Sequence, residues 1–299
     1  MTNKIVEEKG KIVFVDWNVF MYRALFGWLN AKRQVAQGQN QLILPPQYLC
    51  LSMILACLKK VGLNKEDIVI CAVDCMGSWR KDLDRQYKSS RKQKRKDSGI
   101  DFDHWFEEFD KLKSNLSEST NWHFVSTPKL EADDFIAEGA RYFKDKIVTI
   151  ISIDSDFEQL AVYKNVRLFS PKTKKYKFVE NPLGILENKI KKETADDLTN
   201  EVITKADYKI RKSIVSLLTL PKWVVKHVHN EFKQIKLVED YDLDKFPYDA
   251  LKIRFKEAYK KTGRIDYEKF ISRLIKHKIK DKIEKKHKKD KKIQSVSIT

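Results

Sequence analysis

Three apolar runs along the chain each end on an aspartate: KIVFVD at Asp16, DIVICAVD at Asp74 and KIVTIISID at Asp154. Their β-branched content and bounding turn residues predict strands. The lack of polar alternation predicts that both faces of each strand are covered, as in a parallel sheet flanked by helices. Between the runs, apolar positions three or four apart predict helices over residues 17–30, 46–61, 102–116 and 130–142. Phe20, Ala24 and Leu25 face inward in the first of these, Pro45 and Pro46 open the second, and Trp105, Phe106, Phe109 and Leu112 line the buried side of the third. Short strands at 122–125 and 166–170, a one- to two-turn helix at 156–163 and a polar loop at 37–41 complete the pattern. This alternation predicts an α/β domain over residues 1–185, a mostly parallel sheet flanked by helices. From 186 to 299 only helical spacing remains, at 186–190, 208–218, 222–232 and 267–279. That helical region closes on a basic tail at 276–299, a solvated helix or a disordered arm.

In open parallel sheets the ligand sits beyond the carboxyl ends of the strands. Three strands that end in carboxylates therefore gather negative charge at one rim, and close carboxylates resist ionising together unless a cation sits among them. The rest of the chain has the opposite sign. With 60 Lys plus Arg against 42 Asp plus Glu, its formal net charge is +18, which predicts a polyanionic partner. Nucleic acid leads, with an anionic membrane surface second. No apolar run is long enough to cross a bilayer, and the first residues carry no signal-peptide core. Cys50, Cys57, Cys71 and Cys75 lie in apolar contexts without zinc-ligand spacing and read as reduced core thiols of a cytoplasmic protein. None of the six histidines falls at a strand end or beside a candidate nucleophile, so none receives a catalytic role.

Two further acidic clusters join the strand-end aspartates. LEADDFIAE places Glu131, Asp133 and Asp134 in the first turn of a helix, and SIDSDFEQL adds Asp156 two residues beyond Asp154. Taken singly, these residues read as helix caps or an Asx turn. A rim holding Asp16, Asp74, Glu131, Asp133, Asp154 and Asp156 together would repel itself without cations. Every donor is oxygen, which selects hard ions such as Mg²⁺, with Mn²⁺ able to substitute. Two such ions about 4 Å apart suit in-line attack of water on a phosphodiester.

VDWNVF, AVDCMGSWRKDLDRQYKSSRKQKRK, LEADDFIAE, ISIDSDFEQL and NVRLFSPKTKKYK together resemble the 5′-nuclease (flap endonuclease) superfamily, in order and spacing, over residues 11–200. The resemblance implies a metal-dependent 5′→3′ exonuclease with flap endonuclease and ribonuclease H activity. Such an enzyme acts on RNA–DNA hybrid and duplex DNA and removes RNA primers during DNA replication. It implies Asp16, Asp74, Glu131, Asp133 and Asp154 around a first metal. A second ion would fall to Asp156 and Asp134, with Glu193 and Asp196 in place of the family's G-D-x-x-D. There the glycine is Lys192, and an amphipathic helix with surface acids is the other reading of that stretch. Ser155 stands where the family has glycine between its two aspartates, and the glycines of a helix-hairpin-helix are missing between residues 201 and 232. Duplex binding would then fall to Lys205, Lys209, Arg211, Lys212, Lys222 and Lys226.

The same resemblance makes residues 80–101 a basic arch over the site, expected to bury almost nothing and to be mobile without substrate. Tyr87, Lys88 and Arg91 match the family's Y-K-x-x-R, with Lys88 reaching the scissile phosphate, Tyr87 stacking on the terminal base and Arg80 clamping a phosphate. Lys92 to Lys96 would neutralise phosphates without specificity. The expected enzyme is a monomer in the cytoplasm, that of a bacterial host if the chain is phage-encoded. A single-stranded-DNA-binding protein is a candidate partner. Two other readings share the acidic rim: a PIN-type ribonuclease, and a non-catalytic nucleic-acid-binding protein that has lost its second metal.

Overall fold

A computed structural model describes residues 10–40, 43–63, 66–191 and 204–235. Glu193, Asp196, the helix expected over 267–279 and the tail 276–299 lie outside the described residues.

Six strands form one sheet: β1 (Ile12–Asp16), β2 (Ile68–Ala72), β3 (Trp122–Val125), β4 (Val148–Ile151), β5 (Val166–Ser170) and β6 (Lys175–Lys177). Their spatial order is β3-β2-β1-β4-β5-β6; β1 to β5 pair in parallel and β6 returns antiparallel beside β5. The expected mostly parallel sheet is therefore present, and β6 is an addition to it. All five residues of β1 are buried, which is what a central strand covered on both faces requires. Alternate side chains divide between two cores. Val13 and Val15 of β1 and Val69 and Cys71 of β2 face one side, while Ile12, Phe14, Ile70 and Ala72 face the other.

The first side is covered by α1 (Trp17–Ala36), α2 (Pro46–Val61) and α5 (Phe102–Ser119), through residues such as Phe20, Leu25, Leu51, Ile54, Phe109 and Leu112. The second is covered by α6 (Ala132–Tyr142) and α9 (Lys222–Gln234), through Phe135, Ile136, Val224, Val228 and Phe232. Helix α6 approaches β1 closely enough that a Cβ at Gly139 would lie 2.2 Å from the Phe14 ring. Phe14 is packed against Phe143 and Phe232 and has nowhere to move, so the position requires glycine.

Several elements differ in extent from the sequence pattern, and the helix expected over 208–218 runs over Lys205–Val215 instead. Helix α1 runs six residues past its expected end, because a polar stretch with good helix formers continues it on the exposed side. The turn after β4 is a 3₁₀ helix (Ser155–Val162). Helix α7 (Pro182–Lys191) begins at its proline, ahead of the apolar positions, as an N-terminal proline permits. The arch holds two short helices, α3 (Arg80–Leu83) and α4 (Ser90–Asp97). Helix α4 buries no residue, as expected of so charged a segment, but the arch base does not behave that way: Trp79, Arg80 and Tyr87 are 4, 2 and 3% exposed. Cys50, Cys57 and Cys71 are buried free thiols, as read from the sequence, whereas Cys75 is partly exposed. Helix α8 (Lys205–Val215) follows the undescribed stretch and packs against α7. Among the described residues no helix is long and apolar enough to cross a membrane.

Candidate metal centre

Because β1, β2 and β4 are parallel, their carboxyl ends share one rim. Asp16 is the last residue of β1, Asp74 lies two past β2 and Asp154 three past β4. Local turn chemistry fixes each of them. Asp16 caps α1 by accepting from the Val19 amide at 3.4 Å, and it also accepts from the Ser152 hydroxyl at 2.7 Å. Asp74 accepts from the Ala132 amide at 2.9 Å, which ties the end of β2 to the start of α6. Asp154 caps the 3₁₀ helix through the Asp156 amide at 2.9 Å. The capping geometry read as the ordinary alternative is thus present, and the same bonds hold the carboxylates at the rim.

Carboxylate oxygens of Asp133, Asp154 and Asp156 lie within 4.8 Å of one another. Two more acids, Asp16 and Asp74, act on Asp133 through their charge. Burial pushes the Asp16 carboxyl from 3.8 up to about 7, with Asp74 and Asp154 adding to the rise against the Ser152 bond. Crowding by protein atoms also raises Asp74, although it keeps a solvent face. Asp133 is also raised well above its ordinary value, by desolvation against the opposing Lys88 ammonium and then by Asp154, Asp16 and Asp74. Asp16, Asp74 and Asp133 are all pushed toward the protonated form, and an all-oxygen cluster with no Cys or His among its donors fits a hard divalent cation. A carboxyl moved from 3.8 to about 7 corresponds to roughly 4 kcal/mol of preference for its protonated form in the fold.

A stability profile follows from these shifts. A raised carboxyl keeps its proton in the folded chain after the unfolded chain has released it, so its contribution is full below the unfolded value and lost as pH rises through the folded one. Without divalent metal, the melting temperature is expected to fall between pH 5 and pH 8. Saturating Mg²⁺ or Mn²⁺ should cancel the fall and raise the melting temperature most at pH 8. Thermal melts with and without chelator check this, and a metal-free profile that rises over that interval would contradict it.

The remaining expected residues divide in ways the sequence does not announce. Asp134 is fully buried on the inner face of α6 and accepts from Trp79 Nε1 at 3.1 Å, Arg80 Nη1 and Nη2 at 3.2 and 2.8 Å, and the Glu131 amide at 2.9 Å. Its oxygens are filled by protein donors, which removes it from the expected second-metal set. Arg80 meets Glu131 Oε2 at 2.9 Å and the Ile214 carbonyl at 2.9 Å. Its guanidinium presents no free face to a phosphate, so the clamp role fails on burial. Tyr87 donates to Glu131 Oε2 at 3.0 Å from inside the protein and is not placed to stack on a base. Glu131 accepts from Arg80, from Tyr87 and also from Lys88. Burial alone would raise it, but Lys88 and Arg80 outweigh burial and hold it below the usual range.

Lys88 bonds Glu131 Oε1 at 2.6 Å from a left-handed backbone (φ 54°), and Asp133 adds to the charge that keeps it protonated. That places the ammonium at the edge of the acidic rim. Arg91 is exposed on α4. Lys205, Lys209, Lys212, Lys222 and Lys226 are exposed as expected, but Arg211 is buried and drops out of the duplex-binding set. Sequence reasoning missed Ser152 and Asn18, whose side-chain oxygens bond Asp16 and the Asp74 amide. It also missed Lys189 of α7, whose ammonium pairs with Asp156. Nothing in the local sequence separates these from surface polar residues.

A parallel sheet with an acidic carboxyl edge and a basic arch beside it defines a 5′-nuclease core. Residues 11–193 match the 5′–3′ exonuclease, N-terminal resolvase-like domain, and the chain belongs to that family. Among its relatives, ribonuclease H of Enterobacteria phage T4 is 32% identical over 155 residues, which span 50% of each chain. The match thus covers about half the length of that curated relative. Solved structures of the phage T5 D15 protein co-crystallized with metal ions and of T5 5′-exonuclease with bound zinc are 19% and 18% identical, each with a TM-score of 0.45. They cover 84% and 81% of this chain and 99% of theirs.

Proposed function

We propose that this protein is a Mg²⁺-dependent 5′→3′ exonuclease and flap endonuclease that hydrolyses phosphodiesters in RNA–DNA hybrid and duplex DNA, and that it removes RNA primers during DNA replication. The observation that carries the reading is the convergence of Asp133, Asp154 and Asp156 within 4.8 Å at the rim that Asp16 and Asp74 also reach. Mn²⁺ would fit the same oxygens. When bound there, one or two such ions would supply Lewis-acid stabilisation to an in-line attack of water on a phosphodiester. Asp133, Asp154 and Asp156 would hold them, and Asp16 and Asp74 would add negative charge at the same rim.

Lys88 would swing from Glu131 to the scissile phosphate and meet the charge that develops there. Arg91 and the other cations of α4 would draw the 5′ strand under the arch, and the exposed lysines of α8 and α9 would hold the duplex. The net charge of +18 supports a nucleic-acid substrate, and the T4 relative supports a ribonuclease H activity in a phage setting. On this reading the nuclease core occupies residues 1–185, the region 186–299 contacts the duplex, and the protein works as a cytoplasmic monomer.

The test is incubation of a 5′-labelled flapped duplex, and of an RNA–DNA hybrid, with the full chain and Mg²⁺. Short 5′ products that vanish with chelator are expected. Cleavage of single-stranded RNA alone would replace this reading with a PIN-type ribonuclease, and tight binding without products would replace it with a binding protein.

A further inference from the structure

Two cations of the chain itself reach the acidic rim from different elements. Lys88 comes from the arch and pairs with Glu131, whereas Lys189 comes from α7 and pairs with Asp156. No motif draws attention to Lys189, and its position is not a surface accident. The neighbouring Leu186 and Ile190 are 6 and 1% exposed and pack with Ile214 and Val215. Tyr208 of α8 also donates to Glu187 at 2.7 Å, so α7 is anchored on both sides of the turn that carries Lys189. The side chains of Lys189 and Asp156 are only 19 and 12% exposed, so water screens the pair weakly.

We propose that Lys189 is a built-in counter-cation for the Asp156 end of the centre, and that it competes with a second divalent ion for that carboxylate. The inference rests on the metal reading above and adds what governs loading of that site. An ammonium already seated on Asp156 neutralises the charge a second ion would be drawn to, and it repels any ion bound beside it. Lys88 and Lys189 pair with Glu131 and Asp156 rather than with Asp133 or Asp154, so a first ion held by those two is hindered less. The centre should therefore fill in two steps of unequal affinity, the second requiring the ammonium to leave Asp156. Lys189 acts here as a positioning residue: it sets the charge of a ligand and touches no reacting atom.

Mn²⁺ titrations followed by electron paramagnetic resonance, on the full chain at pH 7.5, test the proposal. Wild type should show one tighter and one weaker site. In Lys189→Met the weaker site should tighten about tenfold, equivalent to about 1.4 kcal/mol, with the tighter one changed less than twofold. Lys189→Arg keeps the charge and should stay close to wild type, which separates charge from packing. Should Lys189→Met melt early, Lys189→Gln keeps a polar stem and carries the same expectation. Equal weak-site affinity in wild type and the neutral variants, or an equal gain in Lys189→Arg, would overturn the Lys189 assignment and leave the metal reading standing. Absence of Mn²⁺ binding in wild type would overturn both.

Discussion

Asp133→Asn is expected to lower turnover on a flapped duplex by at least about 10³-fold while leaving substrate affinity within a few-fold of wild type. A loss of 10³ is about 4 kcal/mol of transition-state stabilisation, a magnitude in keeping with removing a charged group that organises a bound cation. Asp133 is the residue to change because its carboxylate stands in the trio with Asp154 and Asp156 while the Coulomb fields of Asp16 and Asp74 converge on it. Asparagine preserves its shape at the start of α6. It removes the negative charge but no contact from the basic residues of α4, α8 and α9, so the phosphate-binding surface is untouched. The same substitution relieves repulsion, and the metal-free variant should melt higher than wild type at pH 8. Single-turnover cleavage, a binding titration in Ca²⁺ and a melt separate the outcomes. Retained turnover would remove Asp133 from the centre, and a pure affinity loss would make it a substrate contact.

The strands that build the rim were legible because burial on both faces leaves no polar alternation: Ile12 to Asp16 is apolar up to its final residue. The shared location of Asp16, Asp74 and Asp154 then followed from parallel pairing alone. Lys175–Lys177 could not be read as a strand, since three exposed residues at a sheet edge carry no period and owe their conformation to β5 beside them. Asp133 and Asp134 are chemically identical neighbours, and only the 100° between successive helix positions sends one to the rim and the other to the core. The choice is fixed by Arg80, which lies 54 residues away in a run so charged that its solvation looked assured. Lys189 escaped for the same reason, since its partner is Asp156 on a different element. Long-range partners of like-looking polar residues are what one-dimensional spacing cannot supply.

Arg80→Met should destabilise the fold by about 3–5 kcal/mol, the range for breaking a buried ion pair by removing one partner. The guanidinium is 2% exposed and joins three elements: it stacks over Trp79 at 4.6 Å beside the arch, pairs with Glu131 and Asp134 at the start of α6, and caps the Ile214 carbonyl near the end of α8. Methionine fills much of the same volume, so the loss would not come from a cavity. It would come from two carboxylates, one of them at 0% exposure, left with fewer donors. Arg80→Lys should rescue little, because one ammonium cannot reproduce a planar fork that serves two carboxylates and a carbonyl. Urea midpoints measure the effect, and flap-binding affinity decides its meaning. A protein marginally stable by 5–15 kcal/mol would show such a loss as an early, cooperative transition. If Arg80→Met instead melted like wild type and bound the flap many-fold more weakly, the guanidinium would have to leave its carboxylates for a phosphate when substrate arrives. The phosphate-clamp role that its burial now argues against would then be restored.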